Sequence, residues 1–473
     1  MALRQKIGLA GGPLLFALIL TFYPFADLNS AANAVLATAV WMAVWWLSEA
    51  VPIAVTALLP IALLPLSGGA EIEQTTAAYG DKMLFLFLGG FIIAIAMQKW
   101  NLHRRIALYI ISKIGVRSDG ILLGFMLSTG LLSMWISNTA TTLMMITIGA
   151  ALIKQIKEVD KGKGSEFFKP LLLGIAFSAS IGGVATLVGT PTNPIFAAIA
   201  SSLYGENISF ISWMTFALPF AVAMLFICWM ILTRGVFKCH SAIPMGKDVV
   251  VNELEKLGKI GAEERAVAFV FSLTALLWIL RSSVLTQILP GINDTVIAIC
   301  AAVSLFVIPS KKEGSWGLLT WEEAAQLPWG VIILFGGGLA LAAAFQSSGL
   351  AEWIGSKLTT IGSLPLIAAI LIVALATNFL TEVTSNVATA SILLPVLASL
   401  AEAIGLHPYF LMVPATMAAS CAFMLPIATG PNAIAFSVGE IQIKDMVRAG
   451  IWLNLISSVL ISLLVYWLVP ILF

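Results

Sequence analysis

Two short polar runs interrupt an otherwise apolar chain: Ser137-Asn138-Thr139-Ala140-Thr141 and Ser385-Asn386-Val387-Ala388-Thr389. Hydroxyls, amide oxygens and freed backbone carbonyls are hard, neutral ligands that suit a monovalent cation such as sodium. A helix starting at such a run also offers N–H groups and a positive dipole end, which suit a carboxylate or another oxyanion. A second polar interruption follows each run: Val188-Gly189-Thr190-Pro191-Thr192-Asn193-Pro194 in one case, Ala428-Thr429-Gly430-Pro431-Asn432-Ala433 in the other. Gly and Pro together break a helix and leave carbonyls that something must satisfy. No Lys, Arg or His occurs at 128–150, 176–200, 376–400 or 411–440. Dipoles alone cannot hold a multiply charged anion at mid-membrane depth, so cations must travel with it. That favours cation-coupled symport over uniport.

The elements that carry these runs are membrane spans. Of 473 residues, 60% are apolar and 10% charged, with net charge +1 and mean hydropathy +1.00. A water-soluble domain is excluded, and the charge gives no reason to expect a nucleic acid partner. A hydrocarbon core of about 30 Å takes roughly 20 helical residues. Spans are predicted near 7–25, 31–49, 52–67, 83–98, 170–202, 210–233, 264–281, 292–309, 329–346, 365–380, 408–437 and 450–472. The first run follows Arg4 and Lys6 and is read as a retained span rather than a signal peptide.

The apolar segment 121–153 is a special case. Lys99, Arg104, Arg105, Lys113 and Arg117 precede it, and Lys154, Lys157, Lys161, Lys163 and Lys169 follow, so both flanks are assigned to the cytoplasm. Its 33 residues are short for two crossings and a turn, and predict a re-entrant helical hairpin with its tip at Ser137-Asn138-Thr139. Basic residues Arg234, Lys238, Lys247, Lys256, Lys259 and Arg265 make 234–265 cytoplasmic, with a connector helix expected in 241–263. Lys311, Lys312, Lys444 and Arg448 mark the same side.

The chain also matches itself at an offset of 248 residues. Leu88-Gly89-Gly90-Phe91 falls on Gly336-Gly337-Gly338-Leu339, Ser133 falls on Thr381, and the two Ser-Asn runs superpose without a gap. With the second flanks outside, the halves have opposite orientation, the inverted-repeat plan of secondary transporters. Ser, Thr or Asn in a span often serves only as glue between helices. Repetition and the adjoining Gly/Pro breaks argue against that for the tips. Glu49 is expected at an interface as a structural or capping group, and Glu382 to face away from the site. Cys228, Cys239, Cys300 and Cys421 have no metal or disulfide spacing and do not cluster with His103, His240 or His407, which disfavours a metal or redox enzyme.

Ser137-Asn138-Thr139, Ser385-Asn386-Val387, Gly189-Thr190-Pro191 and Ser48-Glu49-Ala50-Val51-Pro52 resemble the divalent anion:sodium symporter family, which transports di- and tricarboxylates or sulfate. The resemblance implies an all-α polytopic membrane protein with inverted repeats, two re-entrant hairpins and two broken transmembrane helices. It implies a homodimer working as an elevator, with sodium as coupling ion and no cofactor. Scaffold parts would be 1–117 and 264–356, transport parts 118–235 and 357–473, and the connector 236–263. One sodium site maps onto Ser133, Ser137, Asn138 and Gly189, the other onto Thr381, Thr384, Asn386 and Ala428. Substrate falls to Ser137, Asn138, Thr139, Ser385 and Asn386, with Val387, Thr190, Pro191, Thr429 and Gly430 adjacent. Val387 departs from a double Ser-Asn-Thr pattern and leaves that tip one hydroxyl short.

The leading expectation is sodium-driven symport of C4-dicarboxylates such as succinate, malate and fumarate, in a bacterial inner membrane. Sodium-independent dicarboxylate exchange, sodium symport of sulfate or citrate, and an anion channel are the alternatives. A membrane-embedded enzyme would need a nucleophile, base or metal cluster that the spans do not supply.

Overall fold

A computed structural model describes residues 3–22, 27–114, 117–160, 165–237, 246–311, 316–357 and 364–472. Lys161, Lys163, Lys238, Lys312, Cys239 and His240 lie outside them. Among the described residues nine helices are long and apolar enough to cross a bilayer by length and composition, and no strand is found.

The first half begins with α1 (Leu3–Phe22), α2 (Ser30–Ser48), α3 (Leu59–Ser67), α4 (Lys82–Lys99) and α5 (Leu102–Lys113). It continues with α6 (Ser118–Ser133), α7 (Asn138–Asp160), α8 (Phe168–Val184), α9 (Thr192–Tyr204) and α10 (Phe210–Met230). After the connector helix α11 (Gly246–Lys256), the second half runs through α12 (Ala262–Leu280), α13 (Asp294–Val307), α14 (Trp329–Ser348) and α15 (Leu350–Lys357). Then follow α16 (Leu366–Thr381), α17 (Asn386–Ala403), α18 (Tyr409–Ala418), α19 (Gly430–Ser437) and α20 (Ile443–Leu472). Thus α6–α7 and α16–α17 are helical hairpins turning at the two Ser-Asn runs, and α8/α9 and α18/α19 are broken helices. The connector helix is α11, tied to α5 by the Arg104–Glu253 ion pair.

Three span expectations need correction. The run 52–67 is no single helix: it divides into a turn at Ile53–Thr56 and α3, because Pro60 has no N–H to bond the carbonyl of Thr56. The span 170–202 stops at Val184 and resumes at Thr192, earlier than its Gly-Thr-Pro run indicates. The span 408–437 stops at Ala418 and resumes only at Gly430. Side chains replace the missing helix bonds there. Asn193 Nδ2 donates to the carbonyls of Gly183 (3.3 Å), Val184 (3.0 Å) and Thr186 (2.7 Å). Asn432 Nδ2 donates to those of Ala422 (3.1 Å) and Leu425 (3.0 Å).

The halves interlock through close-approach glycines. A Cβ on Gly89 of α4 would lie 2.7–2.9 Å from Ala298 of α13, and one on Gly337 of α14 would lie 2.4 Å from the carbonyl of Ala57. Each long helix therefore packs its glycine face on the opposite half. The equivalent helices α4 and α14 run antiparallel. Lys99, ending α4, pairs with Glu323 just ahead of α14 at 2.7 Å. At the other end Lys82 bonds Asn207, while Gln346 near the end of α14 donates to Leu203 O at 3.4 Å.

Candidate functional site

The same local unit recurs at both hairpin tips. Ser133 ends α6 and donates its hydroxyl to Asn138 Oδ1 at 2.5 Å; Thr381 ends α16 and donates to Asn386 Oδ1 at 2.6 Å. Both hydroxyls are fully buried, so the amide at the start of the returning helix is locked to the end of the outgoing one. Thr381 Oγ1 also donates to Ala419 O at 3.0 Å, and Thr384 Oγ1 meets Thr389 Oγ1 at 2.6 Å.

The Asn138 amide atom that faces Ser133 also lies 3.1 Å from Ala179 O and 3.2 Å from Gly189 O. As a nitrogen it donates to all three oxygens; as an oxygen it accepts from Ser133 and faces two carbonyls, a cluster of four oxygens that suits a cation. Gly183 closes in behind, where a Cβ would sit 2.4 Å from Asn138 Oδ1, and a Cβ on Gly189 would meet Gly183 O at 2.4 Å. Further oxygens stand ready: Ser180 Oγ and Asn432 Oδ1 are buried without a partner among the described residues. Hard oxygen donors without fixed positive charge fit sodium as cargo.

Between the tips lies a cavity of about 500 Å³, within the range of roughly 300–1,000 Å³ usual for small-molecule sites. All ten residues expected near substrate line it: Ser137, Asn138 and Thr139; Ser385, Asn386 and Val387; Thr190 and Pro191; Thr429 and Gly430. Of the expected sodium ligands, Ser137, Asn138, Gly189, Asn386 and Ala428 also line it, whereas Ser133, Thr381 and Thr384 lie buried behind the tips. Four helices, α7, α9, α17 and α19, begin at this cavity, so their free N–H groups and positive dipole ends converge on it. Ser385 caps α17 without a side-chain bond to it. Thr429 instead spends an acceptor on Asn432 N at 3.2 Å.

The opposite wall is apolar, formed by Phe87 and Phe91 of α4 and Val331 of α14. No Lys, Arg or His lines the cavity, and one carboxylate, Glu49, does. Glu49 follows α2 as its left-handed cap (φ 50) and pairs with Arg4 at 3.5 Å, so the capping role expected for it is joined by a place on the rim. Glu382 turns away from the cavity, as expected. Its carboxylate accepts the N–H groups of Phe423 (2.7 Å), Met424 (2.9 Å) and Leu425 (2.9 Å) and the Asn454 amide (2.7 Å). It thereby holds open the chain between α18 and α19.

Sequence reasoning missed four contributors: Asn193 and Asn432, which take up carbonyls freed at the two breaks; Ser420, which meets Thr192 across the halves at 2.8 Å; and Thr186, whose hydroxyl bonds Met134 O at the first tip. The recurrence of an Asn shortly after a Pro, two residues on in Pro191-Thr192-Asn193 and one on in Pro431-Asn432, was the available signal.

Residues 10–473 match the family model described as the sodium:sulfate symporter transmembrane region. The chain is 46% identical to the sodium-dependent dicarboxylate transporter SdcS of Staphylococcus saprophyticus, over 98% of this chain and 92% of that protein. It is also 46% identical to SdcS of Staphylococcus aureus, over 99% and 92%. Among solved structures it is similar to the YdaH transporter of Alcanivorax borkumensis (TM-score 0.57, 14% identity, covering 83% of this chain and 86% of that one). MtrF of Neisseria gonorrhoeae is comparable (TM-score 0.56, 13% identity, 84% and 82%). At those identities the structures speak to fold alone. With a tip geometry repeated in both halves and a match running almost its full length, this multi-pass membrane protein is a transporter and belongs to the divalent anion:sodium symporter family.

Proposed function

We propose that the protein is a sodium-coupled symporter of C4-dicarboxylates such as succinate, malate and fumarate. The observation that carries this reading is the pairing of Ser133 with Asn138 and of Thr381 with Asn386 beside one cavity without fixed positive charge. Sodium binds at the two hydroxyl–amide units, offsets the anion's charge, and orders the tips whose N–H groups take the carboxylates. SdcS, named a sodium-dependent dicarboxylate transporter, supports the choice of ion and of anion class.

The movement we propose is that of an elevator, with 118–235 and 357–473 as transport parts sliding against scaffold parts 1–117 and 264–356. Apart from Glu49 at the rim, the polar side chains lining the cavity come from the two hairpins and two broken helices, while α4 and α14 offer Phe87, Phe91 and Val331. An apolar wall makes no directional bond that sliding would break. The hairpins are re-entrant in this reading. The antiparallel course of α4 and α14 supports the inversion between halves. The cavity rim at Glu49 and Pro328 lies at the Lys99–Glu323 end, the cytoplasmic one by its basic residues.

Uptake of labelled succinate by membrane vesicles at varied sodium tests the proposal, with citrate and sulfate as competitors. Sodium-dependent accumulation, inhibited by malate and fumarate, is expected. Uptake indifferent to sodium would remove the coupling.

A further inference from the structure

Glu49 is the one charged residue on the wall of a cavity otherwise organised for anions. Its backbone is left-handed (φ 50, ψ 39), which is unfavourable for a residue with a Cβ and is ordinarily filled by Gly or Asn at a helix end. The backbone therefore gives no reason for Glu, and the side chain must be what the position supplies. That side chain is half exposed, as is Arg4, whose Nη2 stands 3.5 Å from Glu49 Oε2. Gln5 Nε2 donates to the Glu49 carbonyl at 3.1 Å, so the first turn of α1 fixes the cap in place.

From this placement we infer that Glu49 and Arg4 form an electrostatic valve at the cytoplasmic mouth: the Glu49 carboxylate repels the dianion and attracts sodium at that face, and Arg4 tempers both effects. The inference rests on the dicarboxylate reading above. A dicarboxylate leaving toward the cytoplasm is helped on its way, and a cytoplasmic dicarboxylate meets a barrier to rebinding. The outer face has no part in the effect, so the valve makes the two directions of transport unequal in affinity. Glu49 touches no substrate in this account; it acts through the field at the rim, which salt screens.

The test uses the full-length protein in inside-out vesicles, which expose the rim, and in right-side-out vesicles, which do not. With labelled succinate on the outside of inside-out vesicles, Glu49→Gln should lower KM about threefold and raise half-saturating sodium, whereas Arg4→Gln should shift both the opposite way. Both shifts should shrink at high ionic strength held with choline chloride, and right-side-out vesicles should show neither. Arg4 stands on the exposed end of α1, so the sign of its effect tests the valve even where Glu49→Gln accumulates poorly. If both variants raise KM, or if both faces respond alike, the residues are structural and the valve is overturned. If the wild-type vesicles carry no dicarboxylate on either face, the functional reading falls and takes the valve with it.

Discussion

Ser420 Oγ stands 2.8 Å from Thr192 Oγ1 and 3.4 Å from Thr190 Oγ1, so one buried hydroxyl of the second half closes a hydrogen bond with the broken helix of the first. Single Ser420→Ala and Thr192→Val variants are expected to lose about 1 kcal/mol each. A double-mutant cycle in thermal unfolding should show coupling of roughly 0.5–1.5 kcal/mol between them. Additive losses would mean that the halves meet here without bonding.

The two tip amides are expected to be indispensable. Asn138→Ala and Asn386→Ala should each abolish sodium-dependent succinate uptake while the protein still reaches the membrane. Removing only the supporting hydroxyl, in Ser133→Ala or Thr381→Val, should raise half-saturating sodium about tenfold, the equivalent of ~1.4 kcal/mol. Normal transport in either Asn variant would sink the site assignment.

Much of the fold and of the site is legible in the sequence. The first hairpin is legible from the basic flanks of 121–153, and the second because 88–94, 133 and 137–141 carry to the second half at one offset, 248, which preserves every spacing within that stretch. The broken helices carry at 239, from Asn193 to Asn432, so the single offset misses them and their equivalence is legible only from the Gly/Pro run that follows each tip. Gly and Pro marked the region of each break but not its start. Helix α18 ends at Ala418 because Glu382 captures three amide N–H groups ahead, a contact across 41 to 43 residues that no local pattern encodes. Glu49 was legible as a cap, from its place after an apolar run, and not as part of the rim, which exists only once α1, α2 and α14 meet.

Glu382→Gln tests that capture. An amide presents one oxygen and a donor where the carboxylate takes three backbone N–H groups and Asn454. Stability should fall by about 2–3 kcal/mol, and sodium cooperativity should be lost first, since the 419–429 segment includes Ala428 of the proposed second sodium site. A variant with unaltered thermal midpoint and sodium dependence would contradict the role.

Close packing behind Asn138 gives a steric test. Gly183→Ala would place Cβ 2.4 Å from Asn138 Oδ1 and 2.9 Å from its Nδ2. The amide must swing out, so sodium dependence should fail nearly as badly as in Asn138→Ala. Gly205, with nothing near its Cβ position, lies clear of the site; Gly205→Asn, a residue that tolerates its left-handed φ of 69, is the control and should transport normally.

The uneven tips can be evened. Val387 lines the cavity in the place that Thr139 holds at the first tip. Val387→Thr adds a hydroxyl at nearly constant volume, and one additional hydrogen bond of about 1 kcal/mol should lower the succinate KM about fivefold. Half-saturating sodium should stay put, because Val387 is not among the proposed sodium ligands. An unchanged KM would mean that the dianion does not reach this residue.

The glycine faces of α4 and α14 bear on how such a chain is born. Gly89 rests on Ala298 and Gly337 on Ala57, so a nascent first half leaves the ribosome with a groove that only residues translated later can fill. Until α13 is synthesised, that groove must be minded by lipid or by an insertion factor. Expressed separately, neither half should resist protease; expressed together from two genes, they should recover protection.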